Sequence, residues 1–156
     1  MRGIPSALLY LLPLTILSSC LADHFYAETA EIVDQSWQYV DTLEYSFDIQ
    51  DTTTRYDIGL TIKHSDEYAF QNLYVKIFTV FPDGKNLAQT LPIDFADHTG
   101  KWYGVCSGDI CTLEVILQEN AIFNQMGMHH FKIAQFMRVD PVIGIESIGL
   151  FLDQKD

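Results

Sequence analysis

Cations are scarce in this chain: 9 Lys and Arg stand against 21 Asp and Glu, a net charge of −12 over 156 residues. Nucleic-acid binding takes most of its affinity from a cationic surface that releases phosphate counterions, so the balance argues against that class. It argues equally against electrostatic docking on anionic lipid. Charge of any sign is low too, at 19%, beside 48% apolar and 13% aromatic residues. Disorder needs the opposite composition, and this length fits one domain. No apolar run reaches the roughly 20 residues of a membrane-spanning helix. A Gly-x-Ser-x-Gly elbow, a phosphate loop, a dinucleotide fingerprint and a His-Glu-x-x-His pair are all missing, as are repeats and low-complexity segments.

What is present begins with an address. Met1 to Cys20 reads MRGIPSALLYLLPLTILSSC, with one cation at Arg2, an apolar run from Ala7 to Leu17, then two serines and a cysteine. Charged start, short apolar middle and small residues before a cut are the order of a secretory signal. Leu17-Ser18-Ser19-Cys20 resembles the bacterial lipobox, which implies cleavage before Cys20 and a diacylglycerol on its sulfur. An ordinary signal peptide cut nearby is the alternative. Residues 1–19 are then a lipoprotein signal peptide, 20–26 a lipidated tether and 27–156 the folded domain. Removing Arg2 and no acid takes the net charge from −12 to −13. Leu21, where inner-membrane retention would call for Asp, favours the outer membrane. Leu21-Ala22-Asp23-His24 is no dense acidic cluster, so the periplasmic leaflet is expected.

From Phe25 onward the pattern has period two. Leu43, Tyr45, Phe47 and Ile49 alternate with polar residues, as do Tyr56, Ile58, Leu60 and Ile62. That is the signature of half-buried strands. Leu73–Phe81 is apolar on both faces and suits a central strand. The segments Thr90–Phe95, Lys101–Cys106, Cys111–Leu117, His129–Arg138 and Ile145–Leu152 read as further strands, and Glu119–Gln125 as a short helix. Turn signals every 8–12 residues predict an all-β fold: a single antiparallel β-sandwich, jelly-roll or immunoglobulin-like, on a lipid tether. Cys106 and Cys111 bracket a Ser-Gly-Asp-Ile turn. In an oxidising compartment they form a hairpin disulfide; two reduced thiols are the other reading, because so short a loop removes little entropy from the unfolded chain.

Candidates for chemistry are few. His129 and His130 are adjacent on a strand and point to opposite faces, so they do not chelate one ion. Asp94, Asp97 and His98 share a loop but offer a thin carboxylate set for Ca²⁺. No acid pair stands out for glycoside hydrolysis. The expectation is therefore no metal, no cofactor and no catalysis. Aromatic surfaces offer more. Trp37 and Tyr39 should share one strand face, while Trp102 and Tyr103 point oppositely. An exposed member of either pair would be a sugar-stacking platform; otherwise they seal the core.

Three segments together resemble the gliding-motility lipoprotein family GldH of Bacteroidetes. The first is Leu60-Thr61-Ile62-Lys63-His64 followed by Tyr68-Ala69-Phe70-Gln71-Asn72-Leu73-Tyr74-Val75. Another is Leu91–Asp97 leading to Gly100-Lys101-Trp102-Tyr103-Gly104. The most specific is Gln135-Phe136-Met137-Arg138-Val139-Asp140 with Gly144-Ile145-Glu146-Ser147-Ile148-Gly149-Leu150. His64 departs from the amide expected after the basic residue, and Cys106 and Cys111 stand in a hairpin that often carries glycines in the family. The resemblance implies a lipid-anchored envelope protein required by the gliding apparatus, itself tied to type IX secretion, with no known reaction or ligand. Its partners are the membrane through the lipid and other envelope proteins; a glycan or peptidoglycan fragment is the alternative ligand. Arg138, at a strand end in a chain with few cations, should find a carboxylate partner, a bound anion or a carbonyl to cap. Asn72 either serves binding or satisfies backbone groups where its strand begins.

Overall fold

Alternating apolar residues give nearly every element of the structure, a computed structural model that describes residues 24–155. The signal peptide and Cys20 lie outside the described residues. The strands are β1 (Tyr26–Glu31), β2 (Ser36–Trp37), β3 (Leu43–Ile49), β4 (Arg55–Ser65), β5 (Asn72–Val80) and β6 (Asn86–Asp94). They continue with β7 (Val105–Ser107), β8 (Ile110–Ile122), β9 (Gly127–Gln135), β10 (Val142–Ile143) and β11 (Ile145–Lys155).

Two antiparallel sheets face each other, one in the order β1-β11-β4-β8-β7 and the other β3-β9-β5-β6; β10 and β2 form a small separate ribbon. The chain crosses between the sheets at most steps, from β1 to β3, β3 to β4 and β4 to β5. Of the two sandwich types expected, this order is the jelly roll. Tyr45, Phe47, Leu73, Val75 and Ile133 from one sheet bury themselves against Leu60, Ile62, Ile148, Leu150 and Leu152 from the other.

Four expectations are corrected. Glu119–Gln125 does not form a helix, because β8 runs on to Ile122. Asn120 takes a positive φ of 51° and its N–H donates to Asp57 Oδ1 at 2.9 Å, making a bulge that keeps Ala121 opposite Tyr56. A second register shift, between the Ile58–Gln118 and Gly59–Ile116 pairs, lies just before it. Lys101–Cys106 is not one strand either; Trp102 makes an isolated bridge to Ala96 and β7 begins at Val105. Trp37 and Tyr39 share no face, since β2 ends at Trp37 and a turn follows, closed by Asp41 N–H on the Gln38 carbonyl. Finally, β9 stops at Gln135, leaving Arg138 three residues out in a loop.

Tyr26, expected as the last tether residue, opens β1 along the edge of the larger sheet. His24 ahead of it bonds Asp153 at 2.5 Å and lies on the Phe151 ring. The register sets the described start of the chain far from the β4–β5 connection. Tyr26 pairs with Leu152 and Leu152 with Ile58, whereas His64 at the other end of β4 pairs with Ile145. Strand rise of about 3.3 Å per residue separates Ile58 from His64 by roughly 20 Å.

Candidate functional site

Asn72 opens β5, and from it the strand alternates: Leu73, Val75 and Ile77 enter the core while Tyr74, Lys76 and Phe78 face outward. The antiparallel partner β9 brings its last residues beside the start of β5. The Phe136 N–H donates to the Tyr74 carbonyl at 2.7 Å, one residue past the strand, which places both rings on the outer face. Lys76 Nζ sits 5.3 Å from the Phe78 ring centre and 5.7 Å from that of Phe136. Such cation–π contacts fix an ammonium group without neutralising it.

Beyond β9 the chain is held by a buried amide. Gln135, 2% exposed, accepts the Met137 N–H at 2.9 Å on Oε1 and donates Nε2 to the Val139 carbonyl at 3.3 Å. Tyr39 ties the same loop from outside. Its hydroxyl donates to the Met137 carbonyl at 2.7 Å, and its N–H donates to Asp140 Oδ1 at 2.9 Å. The Tyr74 N–H points at the Met137 thioether, 3.2 Å away.

These constraints frame a cleft of about 750 Å³. Tyr39, Phe70, Tyr74, Phe136, Met137 and Val139 supply apolar walls, and Asn72 and Arg138 supply the polar groups. Tyr39, Tyr74, Phe136 and Val139 are all solvent-exposed, Phe136 by 52%. Arg138 is exposed, and no described carboxylate lies within ion-pair distance of it. Its guanidinium makes no hydrogen bond to another described residue, and neither does the Asn72 side chain; the Asn72 carbonyl accepts the Tyr68 hydroxyl at 3.1 Å. The site thus offers an unneutralised guanidinium beside aromatic rings. That group combines weak hydration, ring stacking and a two-pronged fit to carboxylate.

Asn72 and Arg138 therefore border one cleft, 66 positions apart in sequence. Trp102 and Tyr103 do not join them. Trp102 packs edge-on against His64 at 4.8 Å and is partly buried, while Tyr103 is 60% exposed away from the cleft. Trp37 is fully buried, its Nε1 donating to the Asp41 carbonyl at 2.8 Å. Tyr39 was a candidate in the sequence through its pairing with Trp37, whereas Tyr74 and Phe136 were not singled out. The available signal was their outward phase on β5 and β9, beside the two polar candidates.

The other candidates have local roles. Cys106 and Cys111 oppose each other in the β7–β8 hairpin with Cα atoms 3.8 Å apart and the sulfurs joined. His129 is buried against Phe123 and Phe47 while His130 is exposed and bonds Ser46 Oγ at 2.7 Å. Asp97 closes a turn, accepting from the Thr99 hydroxyl at 2.6 Å and from the N–H groups of Thr99 and Lys101, which hold its carboxyl below the usual range. Among the described residues no three His, Cys, Asp or Glu side chains converge on a metal position. A smaller cleft of about 290 Å³ opens between the β6 and β8 edges, walled by Leu87, Leu91, Leu117 and Phe123.

Comparison with known proteins points one way. Residues 24–152 match the family described as GldH lipoprotein. The "Gliding motility lipoprotein GldH homolog" of Christiangramia forsetii is 26% identical over 163 aligned positions, covering 100% of this chain and 99% of that one. The "Gliding motility lipoprotein GldH" of Flavobacterium johnsoniae is 24% identical, covering 94% of each. Among solved structures, a CBM35 from Cellvibrio japonicus Abf62 aligns over 80% of this chain and 92% of its own at 13% identity. Its TM-score of 0.33 is too loose to bear on fold or ligand.

Proposed function

The chain belongs to the GldH lipoprotein family and is an envelope lipoprotein linked to gliding motility; from that premise we propose that it is a noncatalytic component contributing protein contacts to an envelope assembly. The observation that carries this reading is the exposed aromatic cleft around Arg138. Tyr and Arg in a well-framed pocket are the side chains over-represented where proteins grip one another, and a cluster of exposed large apolar groups marks an interaction surface. The same reading places the thioether lipid on Cys20, the anchor in the outer membrane and the domain on the periplasmic side. The apolar run before Leu17-Ser18-Ser19-Cys20 supports the lipid, Leu21 the outer membrane, and the lack of an acidic cluster in Leu21-Ala22-Asp23-His24 the periplasmic side. Two or more acyl chains hold stably where one does not.

The test is recovery of the lipidated protein from crosslinked native envelopes, with mass spectrometry of what comes with it, beside a Cys20→Ala control. Other gliding or secretion lipoproteins should accompany the native chain and be lost with the control. Recovery of nothing above background from the native chain would overturn the reading. The glycan alternative keeps the exposed rings of Tyr39 and Tyr103, but Trp102 packs against the core and the cleft offers few hydrogen-bonding groups.

A further inference from the structure

We propose that the cleft framed by Tyr39, Tyr74, Phe136 and Arg138 takes a mainly apolar peptide segment of a partner protein that carries one or two carboxylates. This rests on the assembly reading above and names the chemistry of the partner.

Charge decides first. The chain is acidic, at −12, yet this cleft holds a guanidinium with no described carboxylate in ion-pair range, and Lys76 stands over the Phe136 ring next to it. None of the described acids nearby comes within ion-pair distance of Arg138. Asp140 accepts the Tyr39 N–H, Glu44 holds Lys132 at 2.6 Å, and Asp94 sits opposite Asn72 on the β6 edge. A carboxylate is drawn to Arg138, but a run of acids is repelled by the rest of the surface. The favoured ligand has isolated acids within an apolar sequence.

Shape decides next. About 750 Å³ is within the ordinary range of ligand pockets and accommodates a few side chains. Phe70, Met137 and Val139 give it an irregular apolar floor rather than a flat ring. A sugar would bring many hydroxyls into it. The Tyr39 hydroxyl is already committed to the Met137 carbonyl, leaving only Asn72, Arg138 and the Tyr74 hydroxyl to meet them. Hydroxyls stripped of water without partners cost affinity. A peptide asks less, since the Asn72 carboxamide both donates and accepts and matches one backbone amide. The Gln135 and Tyr39 bonds hold the wall in place before any ligand arrives, which lowers the ordering cost of binding.

The experiment uses the full lipoprotein in detergent micelles. The probes are fluorescent ten-residue peptides that pair Leu or Phe with Asp or Glu, matched peptides with Asn or Gln in the acid positions, and peptidoglycan-derived oligosaccharides. Acid-containing peptides should bind at least about tenfold more tightly than their amide twins. Arg138→Gln should erase that preference, and Tyr74→Ala should weaken both peptide sets; both residues are exposed, and an unchanged melting profile verifies folding. Equal binding of acid and amide peptides, an Arg138→Gln effect under twofold, no peptide binding, or oligosaccharide binding in place of peptide would each overturn the proposal. The envelope pulldown repeated with Arg138→Gln separates the two readings. Partners kept by that variant sink the cleft proposal and leave the assembly standing, whereas partners absent from the native chain sink the assembly itself.

Discussion

The hydroxyl of Tyr45, buried in the four-stranded sheet, donates to the carbonyl of Ile148 in the opposite sheet across 2.6 Å. Residues 103 positions apart are thereby joined through the middle of the sandwich. Burial raises the phenol above its ordinary pKa, so the donor stays protonated at any working pH.

Tyr45→Phe should therefore cost about 1 kcal/mol or somewhat more, because the carbonyl loses its buried partner while the ring still fills its place. Urea unfolding of the two proteins at pH 7.5 measures it. Equal midpoints and slopes would show that the bond contributes nothing net.

Gly59 lies against Phe151 in the neighbouring strand, where an added Cβ would come within 2.2 Å of the ring's Cζ. Gly59→Ala must push that ring off the sheet, and His24, which rests on it, with it. A loss of about 1–3 kcal/mol is expected, seen as a lower thermal midpoint. An unshifted midpoint would mean the ring relocates freely.

His64 is fully buried among Phe95, Trp102 and Tyr68, its Nδ1 proton donated to the Ser65 carbonyl at 2.8 Å and its Nε2 without a partner. Desolvation lowers its pKa, against a smaller upward pull from the Ser65 carbonyl and from Asp66. With the folded value below the unfolded one near 6.5, the unfolded chain binds the extra proton between the two. Stability is then full above about pH 6.5 and declines as pH falls towards the folded value. Denaturation midpoints between pH 7.5 and 5 should fall for the native chain, and His64→Phe should flatten the fall in that window. An unchanged slope in the variant would assign the decline to other groups.

Locking Cys106 to Cys111 closes a loop of few residues, so the chain-entropy gain is only about 2 kcal/mol. Non-reducing peptide mapping should recover the linked pair, and Cys106→Ser with Cys111→Ser should unfold at modestly lower urea. Free thiols in the mapped native protein would overturn the pairing.

Legibility in the sequence followed burial. β3 was readable to its ends, Leu43 and Ile49, because its inner side chains are buried and its outer ones wet, leaving an unbroken alternation. β8 was cut short because two register shifts on either side of Gln118, one of them at Asn120 with its positive φ, break the alternation. β1 and the β2–β10 ribbon were too short or too exposed to leave a pattern. At the candidate site, Asn72 and Arg138 came forward through family resemblance. Tyr39 came forward only as the supposed strand partner of Trp37, and Tyr74 and Phe136 did not, because outward-facing rings in a strand look like the polar phase with unusual members. Their meeting depends on the β5–β9 register, a long-range pairing that no local window contains.

The described chain starts at the end of the sandwich remote from the cleft. With Cys20 acylated as proposed, the four residue steps to His24 reach at most about 14 Å, so the domain cannot wander far from the bilayer. The strands add roughly 20 Å between the start of the described chain and the cleft, which bounds how far from the lipid the cleft can stand. A partner able to engage it must present its segment within that depth of the envelope, and encounters between anchored molecules become a search in a plane rather than in a volume.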